Sequence, residues 1–594
     1  MRVADYIVKF LEGVGIDRAF TVCGGGSIFI NDALRKAERM KFVATHHEQA
    51  AAMAAEAWAR VRGVPGLVVV TSGPGGTNAI TGVAGAWMDS VPMIVISGQA
   101  FLSQTITDHP ELRQMGVQEI NIVDLVDPIT KYAVMVTDPK EIRWHLEYAW
   151  HQALDGRPGP VWLDIPADVQ NADIDPDELR GWTADKIEDT EAASIMREQI
   201  FDVVELLRAA KRPLVHVGQG VRIAGAVEDF FEFVDLVDAP FVTARNANDI
   251  CDDTHPRFIG RPGTFAQRGA NFAVQSCDIY IAIGTRLSLA QTGYNAKDYA
   301  RNAKKVVVDI DPAELSKGTV PIDIAIEADA GDFLKAINRS IRRNQLPRNH
   351  QWNARCHKWR ARYPAVTQKY RDQAEHVNSY HFADRLSAHL TPSDIIVTDM
   401  GFAFQTTHQA FRVKLGQRFF TNCGMAAMGW GLPAAVGAAI ASGRRTICIT
   451  GDGGLMMNAQ ELSTIAHHRL PVKIFVLNNG GYLTMRQSQE NAFDGYMGSD
   501  YKSGLSFPDF RELAHAHGIR STSVLSHANL ERVMSAALVE DGPILVELVM
   551  DPNQEAVKSV NRREADGTIK QTAIEDAFPH LDPAEIADNL KVDP

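Results

Sequence analysis

Short, strongly apolar runs recur through this sequence, spaced so that a helix fits between neighbours. GLVVV (66–70) and MIVIS (93–97) come first, followed by PLVHVG (213–218), IYIAIG (279–284) and KVVVDI (305–310). DIIVTD (394–399), TICITGDG (446–453), VKIFVLNN (472–479) and PILVELV (543–549) complete the series. Strands with no polar face must be covered on both sides, and strands alternating with helices are joined by crossovers, so the pattern demands parallel sheets flanked by helices. A polar, acidic stretch at 170–195 separates the first group from the second. Residues 340–375, rich in Arg, Asn, Gln, His and Trp and without a clear strand, precede the third. The expected fold class is α/β, with three doubly wound parallel-sheet domains at 1–170, 190–342 and 376–552 and a mixed, charged tail at 553–594. A length of 594 residues agrees, since a domain takes about 150. The first and third groups share a size and rhythm, but no repeat is visible in the residues themselves.

Composition narrows the partners. With 60 Lys+Arg against 73 Asp+Glu the formal charge is −13, the wrong sign for a phosphate backbone, so a nucleic-acid partner is not expected. Cys23, Cys251, Cys277, Cys356, Cys423 and Cys448 are scattered without a CxxC pair, which argues against a disulfide framework or a zinc site and suits a reducing cytoplasm. Val3, Ile7, Phe10, Leu11 and Val14 recur at helical spacing, so the start reads as an amphipathic helix and not as a signal peptide. The charge-free stretches 63–88 and 419–443 are dense in Gly, Pro, Ala, Ser and Thr, which suits close backbone packing better than a membrane span.

The sharpest local signal is 451–479. A strand runs into Gly451-Asp452-Gly453-Gly454, a helix follows, and a second strand ends at Asn478-Asn479. The glycines let the backbone turn tightly and aim N–H groups at an anion, with the helix dipole adding to the attraction. A carboxylate, an amide oxygen, a backbone carbonyl and diphosphate oxygens together make an octahedral magnesium site, at the carboxyl edge of a parallel sheet, where ligands bind. Glu48, after His46 and His47, opens an Ala-rich helix; by residue type alone it is a carboxylate favoured by the helix dipole.

THHEQAAAMAAEAWAR (45–60), TSGPGGTNAITGVAGAWMDSVPMIVISGQ (71–99), GMAAMGWGLPAAVGAA (424–439) and the GDG–NN segment stand in one order, and in that order they resemble the acetolactate synthase branch of the thiamine diphosphate enzymes over about residues 1–550. The resemblance implies that 1–170 binds the aminopyrimidine and 376–552 the diphosphate. It makes Asp452, Asn479 and the Gly481 carbonyl the magnesium ligands, and Glu48 the catalytic glutamate that hydrogen-bonds N1′ of the pyrimidine and promotes loss of the thiazolium C2 proton. Met428 would prop the cofactor into its bent shape. Pro74, Asn78 and Gln118 match positions near the pyrimidine and the reacting carbon, with Gln118 in a catalytic role. Gly24, Gly25, Gly451, Gly453 and Gly454 complete the cofactor contacts. The two halves of such a site come from different chains, so at least a homodimer, or a homotetramer, is implied.

HVGQGVRIAG (216–225), TARNAND (243–249), GRPGTFAQRGAN (260–271), GTRLSLAQTG (284–293) and DIDPAEL (309–315) resemble the flavin-binding middle domain of the same enzymes. They imply FAD contacts at Gly218, Gly220, Thr243, Arg245, Gly260, Gly284, Arg286, Asp309 and Asp329. A GxG after a strand is a weak dinucleotide signal, and ADP or an unliganded nucleotide fold stay open. Elsewhere the pattern departs. Ser488 stands where acetolactate synthases carry a tryptophan, Phe402 and Ala403 replace a Gln-His pair, and the stretch from Arg113 to Gln118 is shorter. GYLTMRQSQENAF (481–493), GLSFPDFRELAHAHGI (504–519) and the tail at 566–586 instead resemble surface-polysaccharide carboligases of the yersiniose type. The expected reaction is decarboxylation of a 2-oxo acid, pyruvate above all, and carboligation of the acyl carbanion to a carbonyl acceptor, a second 2-oxo acid or a ketone or keto-sugar. A pyruvate oxidase-like flavoenzyme and an acyl-CoA lyase are the alternatives.

Overall fold

The computed structural model describes residues 1–184, 190–343, 345–493, 495–558, 561–563 and 568–591. Residues 185–189 of the expected linker, and 559–560, 564–567 and 592–594 of the expected tail, lie outside the described residues.

The apolar runs become strands of three six-stranded parallel sheets. The first holds β1 (Arg18–Thr21), β2 (Lys41–Ala44), β3 (Gly66–Val70), β4 (Met93–Gln99), β5 (Tyr132–Met135) and β6 (Pro160–Pro166), in the order β2-β1-β3-β4-β6-β5. The second holds β7 (Pro213–Val217), β8 (Phe241–Thr243), β9 (Phe258–Gly260), β10 (Ile279–Ile283), β11 (Lys304–Asp309) and β12 (Ile324–Glu327), in the order β12-β11-β10-β7-β8-β9. The third holds β13 (Ile395–Thr398), β14 (Arg418–Phe420), β15 (Thr446–Gly451), β16 (Val472–Asn478), β17 (Arg520–Val524) and β18 (Ile544–Val549), in the order β14-β13-β15-β16-β18-β17. The first and third sheets therefore have the same strand order, a likeness that the residues alone conceal. The middle sheet follows the other doubly wound order, that of dinucleotide folds. Each sheet reverses its winding near its middle, between β1 and β3, between β7 and β10, and between β13 and β15, and the outer sheets turn back once more at the edge, from β5 to β6 and from β17 to β18.

The two charge-free stretches supply the joint between the outer sheets. The helix Glu48–Arg62 packs on the helix Gly431–Ser442 so closely that a Cβ on Gly437 would lie 1.9 Å from the Ala54 carbonyl oxygen. Small residues are needed there because the two backbones touch. Glu56, fully buried in that joint, accepts from Trp430 Nε1 at 2.7 Å and from Arg60 Nη2 at 2.7 Å. Asp89 joins all three blocks: its carboxylate accepts from Arg60 Nη2 (2.7 Å), Asn246 Nδ2 (3.0 Å), Cys423 N (2.9 Å) and Gly424 N (2.8 Å). Four donors on one buried carboxylate offset its desolvation, a condition that any buried charge must meet.

At the amino end, the helix Val3–Gly13 buries Val3, Ile7 and Leu11 as the spacing predicts. The tail starts on the third block, where Val557 N donates to the Tyr380 hydroxyl, and its later part lies on the central block, where Arg268 donates to the Ala577 and Pro579 carbonyls and Trp359 Nε1 to Asn589. Among the described residues no helix is long and apolar enough to cross a membrane.

Candidate active site

In the first sheet, the residues singled out in the sequence converge at the reversal point between β1 and β3. His47 caps the helix Glu48–Arg62, its ring Nδ1 accepting from Gln49 N at 3.1 Å. Glu48 thus begins the helix, where the dipole favours its charge. The helix Pro74–Met88 starts nearby, with the proline at a position where a missing N–H costs nothing. One turn on, Asn78 Nδ2 donates to Glu48 Oε2 at 3.0 Å. Gly24 packs on Thr71, whose side chain would overlap any Cβ added there, and Gly26 N donates to Thr71 Oγ1 at 2.9 Å. Gly73, with φ +58°, lies against Gln118: an added Cβ would sit 2.6 Å from the Gln118 carbonyl oxygen. Glu48, Asn78, Pro74, Gly24 and Gln118 therefore share one corner of the sheet. Glu48 is 8% exposed.

The second cluster occupies the equivalent corner of the third sheet. Gly451 ends β15, and Asp452 opens a one-turn helix at 2% exposure. Its carboxylate accepts from three backbone N–H groups: Gly453 at 2.7 Å, Gly481 at 3.0 Å and Asn479 at 3.1 Å. Burial pushes the Asp452 carboxyl up to about 6 even so, the backbone donors opposing the rise. Asn479 and Gly481, just beyond β16, are thereby tied to the turn. Gly453 has no room for a side chain, since an added Cβ would lie 2.2 Å from the Tyr482 ring and 3.5 Å from Met428 Sδ. Gly454 faces the buried Asp399 carboxylate, which also accepts from Gly429 N at 2.9 Å and so anchors the segment that carries Met428. Met428, Asp452, Asn479, Gly453, Gly454 and Gly481 form one group.

Some contributors carry no signal in the sequence. Arg486 donates to the carbonyls of Asn479 (3.1 Å) and Pro552 (2.7 Å), which fixes the 479–481 segment from behind. Tyr482 and Thr71 wall the two corners. Arg486 and Tyr482 lie inside the GYLTMRQSQENAF stretch, but nothing in their type separates them from core residues. Ser488 is exposed, its hydroxyl donating to Thr484 O at 2.9 Å, while Phe402 and Ala403 are buried. Among the described residues no hydrogen bond joins Glu48 or Asn78 to Asp452, Asn479 or Gly481.

A cavity of 540 Å³ opens at the reversal point of the middle sheet and reaches both outer blocks. Gly220, Arg245, Gly284, Arg286, Asp309 and Asp329 line it, with Asp89 and Cys423 at its far end. Gly218, Thr243 and Gly260 are not in its wall. A Cβ on Gly218 would lie 2.0 Å from the Gly284 carbonyl oxygen, so these glycines let β7 and β10 approach each other. Gly260 faces Gln267, whose Oε1 would be 2.4 Å from a Cβ at 260. Arg245 Nε and Asn246 Oδ1, near the far end, are buried without a hydrogen-bond partner.

An acidic turn on one doubly wound sheet, a glutamate–asparagine pair on its twin and a nucleotide-type sheet between them define a thiamine diphosphate-dependent enzyme. The sequence matches the thiamine pyrophosphate enzyme N-terminal TPP binding domain over 1–125, the central domain over 200–337 and the C-terminal TPP binding domain over 399–548. It is 33% identical over 560 residues to the probable acetolactate synthase large subunit of Methanocaldococcus jannaschii, covering 93% of this chain and 92% of that protein. It is 32% identical over 565 residues to the acetolactate synthase large subunit of Porphyra purpurea, covering 91% and 90%. It is likewise 32% identical over 560 residues to the acetolactate synthase isozyme 1 large subunit of Escherichia coli K12, covering 94% and 95%. The chain belongs to the thiamine pyrophosphate enzyme family, on the branch of the acetolactate synthase large subunits.

Proposed function

We propose that this enzyme decarboxylates pyruvate and joins the resulting acetyl unit to a carbonyl acceptor. The observation that carries the reading is the buried Asp452 carboxylate, ringed by three backbone donors and raised to about 6. A charge so costly to bury alone suits a divalent cation, with Asn479 and the Gly481 carbonyl supplying further hard oxygens to Mg²⁺. The backbone space left by Gly453 and Gly454 suits a diphosphate. Thiamine diphosphate, when bound, supplies an electron sink for the carbon that loses CO₂. Glu48 then holds a proton at N1′ of the aminopyrimidine, and Asn78 fixes the orientation of that carboxyl through Oε2. Met428, beside the diphosphate turn, would support the cofactor's ring, and Gln118, in the Glu48 corner, would serve the reacting carbon.

The central cavity suits FAD: acidic side chains at the ends of β11 and β12 match ribose and adenine donors, and arginines 245 and 286 match phosphates. The orphaned Arg245 Nε and Asn246 Oδ1 suit a polar ring edge. The domain boundaries proposed are 1–170, 190–342 and 376–552. A homodimer or homotetramer is supported by the lack of a hydrogen bond between the two corners among the described residues, and by apolar side chains left exposed near them in sequence, such as Val117, Met115, Met457 and Met485. The cysteines are all unpaired, which suits the cytoplasm.

The matched relatives favour carboligation over an oxidase or an acyl-CoA lyase. For the acceptor, the exposed serine at 488 favours something larger than a second pyruvate, a ketone or keto-sugar. The test is to supply Mg²⁺, thiamine diphosphate and pyruvate, alone and with a series of ketones, and to identify the products. New adducts only with added ketone support the larger acceptor, and acetolactate from pyruvate alone assigns the smaller one. No pyruvate consumption with any acceptor overturns the proposal. The visible spectrum of the purified protein decides the flavin.

A further inference from the structure

Gln118 is held in an unusual way. Glu119 N donates to Gly116 O at 3.3 Å, closing a four-residue turn whose third position, Gln118, has φ +62°. That region favours Gly or Asn, and a glutamine persists there only where its surroundings over-determine it. The surroundings are a segment, 100–121, most of whose residues are exposed; Val117, next to Gln118, is 89% exposed. Within the segment, the Glu119 carboxylate accepts from Met115 N at 3.1 Å and Ile106 N at 3.3 Å. These bonds knit the segment to itself but not to the sheet.

At its start the segment is tied to the body by Leu102 N, which donates to Asp168 Oδ1 at 3.0 Å; near Gln118 the tie to the sheet is Gln99, the last residue of β4. Its Nε2 uses both hydrogens, donating to Ile120 O at 2.9 Å and to Asp164 Oδ2 at 3.0 Å, while its Oε1 accepts from Ala100 N at 3.0 Å. Asp164 lies on β6, directly across from Ser97, and is 1% exposed. It is fixed in turn by Ser97 Oγ, which donates to Oδ1 at 2.5 Å and accepts from Trp162 Nε1 at 2.8 Å. A relay of side chains thus runs from the core, Trp162 to Ser97 to Asp164 to Gln99, and ends on the carbonyl two residues from Gln118. A buried relay with every member satisfied is rigid, and a loss at one link leaves the others unpaired.

We propose that Gln99 and Asp164 are positioning residues that hold the turn carrying Gln118 against Gly73 and the Glu48–Asn78 pair. The inference rests on the reaction proposed above for its catalytic consequence, but its structural part stands without it. Gln99→Met keeps the length and removes every hydrogen bond. Amide hydrogen exchange across 100–121 should quicken at least about tenfold, with the rest of the first sheet unchanged. Turnover should fall at least about tenfold, because loss of alignment at a reacting centre is costly, while thiamine diphosphate affinity stays within about twofold. Combined with Gln118→Ala, the variant should be within about twofold of Gln118→Ala alone, since both remove one function. Gln99→Asn, too short to span both acceptors, gives the same test if the methionine variant fails to fold. Exchange at wild-type rates overturns the positioning role, and losses that multiply in the double variant overturn the route through Gln118. A wild type that consumes no 2-oxo acid sinks the functional proposal instead, and the exchange measurement still decides this one.

Discussion

Asp452→Asn separates what the carboxylate does to the empty fold from what it does for a cation. In the cofactor-free protein this carboxyl is raised from 3.8 to about 6 by burial. A native carboxyl above its ordinary value keeps a proton that the unfolded chain has released, so stability falls as pH rises from about 4 to about 6 and stays reduced above. The rise corresponds to about 3 kcal/mol at neutral pH. Asparagine removes that cost. Its oxygen can keep the bonds from Asn479 and Gly481, but its NH₂ then faces Gly453 N, and one buried donor left unpaired costs about 1–3 kcal/mol. The net effect on the empty protein at pH 7 is a gain of about 0–2 kcal/mol, worth about 1 °C in melting temperature per kcal/mol for 594 residues melting together. The advantage should shrink as pH falls through about 4 and be gone below it, where the unfolded carboxyl, with its ordinary value of 3.8, takes up its proton too. Binding should move the other way, with Mg²⁺-dependent thiamine diphosphate affinity falling about a hundredfold or more. Differential scanning from about pH 4 to 8 on stripped protein, paired with titration calorimetry, reads both. A variant that melts well below wild type at pH 7, or that binds the cofactor as tightly, refutes the reasoning.

Three further outcomes follow from single contacts. Glu48→Gln should keep thiamine diphosphate and cation binding and lose about 10²–10⁴ in turnover, the usual worth of a placed acid–base group; product formation within twofold of wild type would remove Glu48 from that role. Gly453→Ala puts a Cβ 2.2 Å from the Tyr482 ring, so cofactor affinity by calorimetry should drop more than about tenfold, with partial recovery on adding Tyr482→Ala as the wall gives way. Gly437→Ala would gain about 1 kcal/mol on helix propensity alone. The Ala54 carbonyl 1.9 Å from that Cβ reverses the sign, and a melting temperature at or above wild type would show that the helices separate freely.

Much of the site was readable in the chain because it is local. The GDG turn and the asparagines at the end of β16 lie on one strand–helix–strand unit, and Glu48 stands where a strand gives way to an Ala-rich helix; the helix start at Pro74 was not read from the chain. The glycine signal in the middle block was only half informative. Gly220 and Gly284 reach the cavity, whereas Gly218 spends its missing side chain on the contact between β7 and β10. No feature of position 99, 164 or 486 set it apart from an ordinary residue, because each bonds to a part of the chain distant in sequence: Gln99 to Ile120 O and to the Asp164 carboxylate, and Arg486 to Pro552 O.

The residues alone determined the three large parallel sheets and the strand ends that carry the glycine turns, since apolar runs and glycine turns act within a few residues of themselves; the small antiparallel pair Asn561–Arg563 and Ile569–Gln571 was not read from them. Only the folded chain decided that the outer sheets share one strand order, that Asp89 ties three blocks together, and that the two corners stay unjoined by hydrogen bonds among the described residues. Those outcomes depend on which crossover lies beside which, and a pattern of short-range preferences carries no record of contacts made hundreds of residues apart.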